Sequence, residues 1–241
     1  MIIRLKHRKF RLKGNFLFSL RLKLRLWEKG SFEVLDYYLK KNKSFIDIGA
    51  WIGPISLYAQ KSCKKVYSVE PDPVAFKFLE DNILMNNSQK DIRIFPLAIS
   101  DKNGKIVLGN PRRFGDSRSS ILGKMKYRVY VDSLKFDDFI RRNKISDCNL
   151  IKIDIEGGEE IVLPLMNSYI KKNKPTLLLS LHPYNFSSLE KVSDKILNAL
   201  KDYKYLYYTN REIIDLKKLK RDLMKTWHLK EIVCSDIKWE R

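Results

Sequence analysis

The segment Phe45–Ala59, FIDIGAWIGPISLYA, constrains the fold more than any other. An apolar run stops at Asp47, passes Gly49 and Gly53 four residues apart, and resumes with helical spacing from about Ile55. A strand, a glycine turn and a helix in that order bring bare backbone N–H groups to the carboxyl edge of a parallel sheet, where nucleotide-like cofactors bind.

From Ser31 onward the chain keeps that alternation. Helical patterns at Phe32–Leu39, PISLYAQKS, Val74–Met85, FDDFIRRN and EEIVLPLMNSYIKKN separate the strand-like runs SFIDIGA, KKVYSVEP, IRIFPLAIS, NLIKIDIEG and TLLLSLHP. KYLYYTN and KEIVCSDIKWE, around the Lys-rich DLKKLKRDLMK, supply two last strands and a helix. The pattern predicts an α/β fold: a Rossmann-like, doubly wound, mostly parallel seven-stranded sheet with helices on both faces. KIVLGN and YRVYVDSL, flanking PRRFGDSRSSILGK, read as an inserted hairpin.

Residues 1–30 read as a basic N-terminal extension, and 31–241 as the main domain. No acidic residue precedes Glu28, while Arg4, Lys6, Arg8, Lys9, Arg11, Lys13, Arg21, Lys23 and Arg25 are all cationic. Leu20–Leu26 alternates strictly with Arg and Lys, the period of a half-buried strand, and Gly14-Asn15 before it suits a hairpin turn. Such an arm would serve nucleic acid or lipid headgroups, or it would be an edge hairpin whose charges deter aggregation. The net charge of +20 suits polyanions or an anionic membrane surface, and genome composition accounts for it equally well. The apolar runs are too short to span a membrane and the N-terminus is too charged for a secretory signal. A cytoplasmic location, with peripheral membrane attachment through the arm, is the expectation. Cys63, Cys148 and Cys234 lack Cys-x-x-Cys spacing, so neither a disulfide framework nor a zinc site is indicated.

The strand ends are polar together: Asp47-Ile48-Gly49, Glu70-Pro71, Ala98-Ile99-Ser100, Asp154-x-Glu156-Gly157 and His182-Pro183. A pyrophosphate loop needs Gly-x-Gly-x-x-Gly, whereas this one offers Gly49-x-x-x-Gly53 with Ala50 and Trp51 inside it. A cofactor without phosphates, with an amino-acid part and an adenosine, suits this loop, and Glu70 is placed to accept hydrogen bonds from ribose hydroxyls. S-adenosylmethionine fits that description. Each residue also has a plainer reading: Glu70 as a helix cap, Asp154 and Glu156 as solvated carboxylates paired with Lys152, and His182 as a hydrogen-bonded structural residue rather than a general base. Ser117, Ser119 and Ser120 either reach an acceptor or serve as turn residues. Asp154, Glu156 and Glu159 could hold a hard cation, but no ligand spacing is convincing and no metal is expected.

FIDIGAWIGPISLYA, VYSVEPDPVAFKFLEDNILMNN, LAIS, LKFDDFI and LIKIDIEGGEEIVLP, in that order, resemble the FkbM-type S-adenosylmethionine-dependent methyltransferases over roughly residues 45–183. The helix with Asn82 and Asn86 resembles that family's paired asparagines. The resemblance implies that Asp47, Gly49 and Gly53 form the cofactor loop, that Glu70 holds the ribose, and that Ala98 and neighbouring backbone border the adenine. It further implies that Asp154 and Glu156 lie beside the methionine part and the acceptor, with Lys152 and Glu159 in support. At Trp51 many members carry a smaller polar residue. The implied reaction is O-methylation of a sugar, glycan or other small-molecule hydroxyl, without an obligate protein partner. The basic surface leaves RNA methylation as the alternative, and a non-catalytic binding module is the third. Acceptor choice is expected from the Asn110–Lys126 loop and the C-terminal region.

Overall fold

The computed structural model describes residues 1–6, 8–14, 16–23, 27–122, 125–225 and 229–240. Its frame is an eight-stranded sheet. The first five of these strands in chain order are β3 (Ser44–Ile48), β4 (Lys65–Val69), β5 (Ile92–Phe95), β9 (Cys148–Ile153) and β10 (Thr176–Leu181). They run parallel, and β11 (Tyr205–Tyr208), β12 (Ile213–Ile214) and β13 (Lys230–Ser235), joined through antiparallel pairings, complete the sheet in the order β12-β11-β13-β10-β9-β3-β4-β5. The seven expected strands are present, and the two-residue edge strand β12 is additional. Chain order reverses between β3 and β9, so the carboxyl ends of those two strands and of β4 border the crevice in which such sheets bind ligands.

Both faces of the sheet are covered, as parallel strands require. One face carries α2 (Lys29–Tyr38), α3 (Pro54–Ala59) and α4 (Pro73–Met85), with Val34, Leu35, Tyr58 and Leu79 buried beside Phe45 and Val66. The other carries α5 (Phe136–Arg142), α6 (Glu159–Leu165), α7 (Asn167–Asn173), α8 (Leu189–Leu200) and α9 (Leu216–Lys225), whose Phe139, Val162, Ile196 and Leu219 meet Ile46, Ile151 and Leu179. Among the described residues no helix is long and apolar enough to cross a membrane. Cys148 and Cys234 are buried, and all three cysteines are free thiols.

The run IRIFPLAIS, expected as one strand, is two. Pro96 has no N–H to donate, so the ladder of β5 ends before it. The chain then leaves the main sheet as β6 (Leu97–Ile99), which pairs in parallel with β8 (Tyr127–Leu134); β8 also pairs antiparallel with β7 (Gly104–Asn110). The inserted hairpin is therefore part of a separate three-stranded sheet.

The N-terminal arm departs from the expected hairpin. The strands lie earlier, at β1 (Ile2–Leu5) and β2 (Arg8–Arg11), and the segment Phe16–Lys23 is a helix, α1. Leu, Arg and Lys are strong helix formers, which favours a helix over a strand where no partner strand lies alongside. Asn15 and Leu24–Leu26 of the expected hairpin lie outside the described residues. Alternation does hold within the real hairpin: Ile3, Leu5, Phe10 and Leu12 are buried, each contributing roughly 1.5–3 kcal/mol before ordering entropy, while Arg4, Lys6, Lys9 and Arg11 face outward.

Two asparagines one helical turn apart fasten this arm. Asn82 Oδ1 accepts from Lys13 N at 2.6 Å and its Nδ2 donates to Lys13 O at 3.0 Å and Ile52 O at 2.9 Å. Asn86 makes the same pair of bonds to Arg11, both at 2.7 Å. The side-chain amides act as extra ladder rungs between α4 and the arm. Asn82→Ala leaves the buried Ile52 carbonyl and the part-buried backbone groups of Lys13 without their partner and is expected to cost about 1–3 kcal/mol, read as a lower urea midpoint at unchanged m-value.

Candidate functional site

The carboxyl ends of β3, β4 and β9 open on a cavity of about 500 Å³. Asp47, Gly49, Ala50, Trp51, Glu70, Pro71, Ala98, Lys152, Asp154, Glu156 and His182 all line it. Gly53 and Glu159, also expected in the site, stand behind the wall. Gly53 ends the turn at φ 89°, where a Cβ would lie 2.6 Å from the Leu79 side chain, and Glu159 is fully buried at the start of α6.

The glycine turn is set by the neighbouring strand. Gly49 sits at φ 85°, and a Cβ there would lie 1.8 Å from Asp154 O. Asp154 N in turn donates to Ile48 O at 3.0 Å. The close approach that requires glycine at position 49 is thus to the exit of β9, and it locks the two acidic strand ends together. Trp51, at φ 49°, donates its backbone N–H to Glu70 Oε2 at 2.8 Å and its indole N–H to Gly115 O at 3.1 Å. Glu70 Oε1 accepts from Asp72 N at 2.8 Å. Burial pushes the Glu70 carboxyl up to about 8.

Asp72, not Glu70, caps α4. Its Oδ1 accepts from Val74 N and Ala75 N, while Oδ2 accepts from Gly115 N at 2.8 Å and from the Ser119 hydroxyl. Ser120 donates to Glu156 O at 2.7 Å. Two of the three loop serines are therefore latches that hold the loop after β7 over the cavity, in keeping with their reading as turn residues. Asp72→Ala is expected to cost about 1 kcal/mol in capping alone and to make the peptide bonds near Gly115 a preferred site of limited proteolysis.

Opposite lies a charged group built on β9, β10 and the loop before α6. Lys152 Nζ binds Asp154 Oδ2 at 2.7 Å, and His182 Nε2 lies 3.5 Å from Asp154 Oδ1 and 3.6 Å from Glu156 Oε1. His182 Nδ1 faces Glu159 Oε1 at 3.1 Å. Glu159 also accepts from Ile155 N at 2.9 Å and Gly157 N at 3.0 Å, which folds the tight turn carrying Glu156 at φ 53°. Burial opposes charge on the imidazole, but Glu159, Asp154 and Glu156 outweigh it and raise His182 to about 9. Burial likewise opposes the charged form of Asp154, and Lys152 and His182 outweigh it, holding this carboxyl below its ordinary range. For Glu156 burial prevails over His182, and its carboxyl rises to about 7. Asp154, Glu156 and His182 bring one ligand atom each within 4.8 Å of one another, a metal-like spacing that the sequence does not display. The charged imidazole supplies the positive partner for both carboxylates.

Sequence patterns give no sign of the walls contributed by the arm. Phe18, Arg21, Trp27 and Glu28 line the same cavity, joined by Leu229 from the other end of the chain. Phe18 packs edge-on against Trp27 and Trp51, with ring centroids 5.0 and 4.4 Å away. Two buried carboxylate oxygens around this cavity, Asp47 Oδ1 and Glu28 Oε2, have no hydrogen-bond partner among the described residues.

Residues 47–207 match the methyltransferase FkbM domain. The tRNA (guanine(37)-N(1))-methyltransferase 2 of Arabidopsis thaliana is 38% identical over 108 residues, covering 40% of this chain and 17% of that enzyme. The similarly named enzyme 1 of Vitis vinifera is 33% identical over 55 residues, 23% of this chain and 9% of its own. The chain therefore spans a small part of these relatives. Among solved structures, the precorrin-6y C5,15-methyltransferase of Geobacter metallireducens GS-15 superposes with TM-score 0.50 at 11% identity, covering 94% of this chain and 95% of that one, a likeness of fold alone. Methyltransferase FkbM of Methylobacillus flagellatus KT gives TM-score 0.49 at 18% identity, covering 93% of this chain and 56% of the other.

Proposed function

The chain belongs to the FkbM family of S-adenosylmethionine-dependent methyltransferases, and on that premise we propose that it methylates a hydroxyl oxygen of a sugar, glycan or other small molecule. The cavity suits the donor. Its volume of about 500 Å³ is that of a pocket for one medium-sized ligand. Asp47 Oδ1, buried and without a donor among the described residues, suits the cationic amino-acid end, and Glu70 retains acceptor capacity on both oxygens for ribose hydroxyls. When bound, S-adenosylmethionine supplies an electrophilic methyl group carried on sulfur.

The observation that carries the hydroxyl reading is Glu156. Alkyl transfer needs positioning first, and an alcohol must also give up its proton. A carboxyl at about 7 in the cavity wall is half ionised near neutral pH and basic enough to take that proton. Asp154 stays ionised beside Lys152 and orients, while His182 stays cationic and balances the two carboxylates. Asp154 and His182 are thus less apt as bases than Glu156. The test is transfer of a ¹³C-methyl group to a panel of saccharides, expected as a new methyl ether; label in no saccharide while the donor still binds would remove the reading.

A second reading, an RNA acceptor, is favoured by the 38% identity to an enzyme named for tRNA guanine and by the +20 charge. It requires RNA affinity that falls steeply with added salt.

A further inference from the structure

We propose that Glu28, outside the family-matched residues 47–207, binds the methionine ammonium of S-adenosylmethionine together with Asp47. This rests on the donor reading above and extends the donor site into the arm. Glu28 stands at the entry to α2 with φ 43° and makes no capping bond, so its side chain is not spent on the helix. It lines the cavity, and its Oε2 is buried without a partner among the described residues. The other unpartnered carboxylate oxygen on that wall is Asp47 Oδ1.

Glu28 on the entry to α2, Asp47 on β3, Asp154 after β9 and Glu231 on β13 are all drawn to Lys152, whose Nζ is committed to Asp154 at 2.7 Å. Ser31 and Thr209 hydroxyls satisfy Glu231, which leaves Glu28 as the carboxylate of the arm with an open acceptor. A buried acceptor without a donor costs about 1–3 kcal/mol. Such a cost persists in a binding site where a ligand removes it. An ammonium offers three N–H donors on one charge, enough to serve both unpartnered carboxylate oxygens. Burial pushes the Glu28 carboxyl up to about 8, so without a ligand it holds its proton near neutral pH and releases it when an ammonium takes its place. The T-shaped contacts of Trp27 with Phe18 and Phe32 fix the chain immediately before it.

The discriminating probe pair is S-adenosylmethionine and 5′-methylthioadenosine, which keeps the adenosine and the methylated sulfur, as a neutral thioether, but lacks the amino-acid part and the sulfonium charge. Both are titrated into the full chain, as wild type, Glu28→Gln and Glu28→Ala, with the unliganded thermal midpoint of each recorded. The expected result is a loss of about 30-fold or more in S-adenosylmethionine affinity in Glu28→Ala, a smaller loss in Glu28→Gln, and methylthioadenosine affinity within about two-fold of wild type. Unchanged S-adenosylmethionine affinity in both variants would overturn the inference, as would an equal loss for both ligands. Absence of S-adenosylmethionine binding by the folded wild type would instead remove the donor reading, and this inference with it.

Discussion

Replacing Glu156 with glutamine is expected to lower the methyl-transfer rate by about a hundred-fold or more, while S-adenosylmethionine affinity stays within about three-fold. The amide is nearly isosteric and can still accept from Tyr184 Oη, now 3.2 Å from Oε2. The backbone bonds that hold the turn, from Ser120 and Asn185 to Glu156 O, do not involve the side chain. What the substitution removes is the capacity to take a proton. A matching drop in donor affinity would mark Glu156 as part of the donor site; an unchanged rate would remove it as the base.

Replacing Gly49 with alanine is expected to destabilise the protein by about 3–5 kcal/mol, combining the left-handed backbone penalty with steric overpacking. The clash is with backbone, since the added methyl would lie 1.8 Å from Asp154 O and cannot be relieved by a rotamer change. β3 and β9 would have to part at their carboxyl ends, carrying Asp47 and Asp154 away from each other. Surviving folded protein should therefore also lose donor binding. Contrast comes from Gly104, which has φ 113° but nothing within 4 Å of the place a methyl group would take, so alanine there meets strain without a clash. Denaturant unfolding of the two variants side by side checks the difference, and equal midpoints would contradict it.

The site is legible in the sequence where its chemistry is local. Strand ends declare themselves by an apolar run that stops at an acid, and Asp47, Glu70, Asp154 and Glu156 indeed meet in one cavity because parallel strands present their carboxyl ends at one edge. Periodicity fails at Leu20–Lys23 because alternation over so few residues does not separate a strand from a short helix of good helix formers. It fails at IRIFPLAIS because Pro96 marks the exit from one sheet, not a pause within one strand. The roles of Asn82 and Asn86 depend on where the arm runs, which no local pattern encodes. Glu28 escapes notice for the same reason, although one signal is present: it is the first acidic residue after a stretch of 27 without one. Glu159 shows the converse. Expected only as support for the site, it folds the loop that presents Glu156 while gripping His182 from behind.

The arm itself changes meaning once its packing is known. Its apolar side is core, with Ile3 and Leu22 fully buried, and its Phe18, Trp27 and Glu28 wall the cavity. Arg4, Lys9 and Arg11 face outward, where an anionic partner can reach them without the arm leaving the fold. Charge-reversal variants at Arg4 and Lys9 therefore probe that surface better than deletion, which would take core residues with it.

Deprotonation of a hydroxyl acceptor by Glu156, as proposed above, would be visible in the pH dependence of kcat/KM for methyl transfer. The base must be ionised to act, so the rate should rise through about 7 as Glu156 loses its proton and fall above about 9 as His182 loses its charge. With S-adenosylmethionine saturating, so that the donor-site carboxyls Glu28 and Glu70 are already engaged, Glu156→Gln should abolish the rising limb for the acceptor. A flat profile between about 6 and 8, or a rising limb that survives in Glu156→Gln, would contradict the assignment.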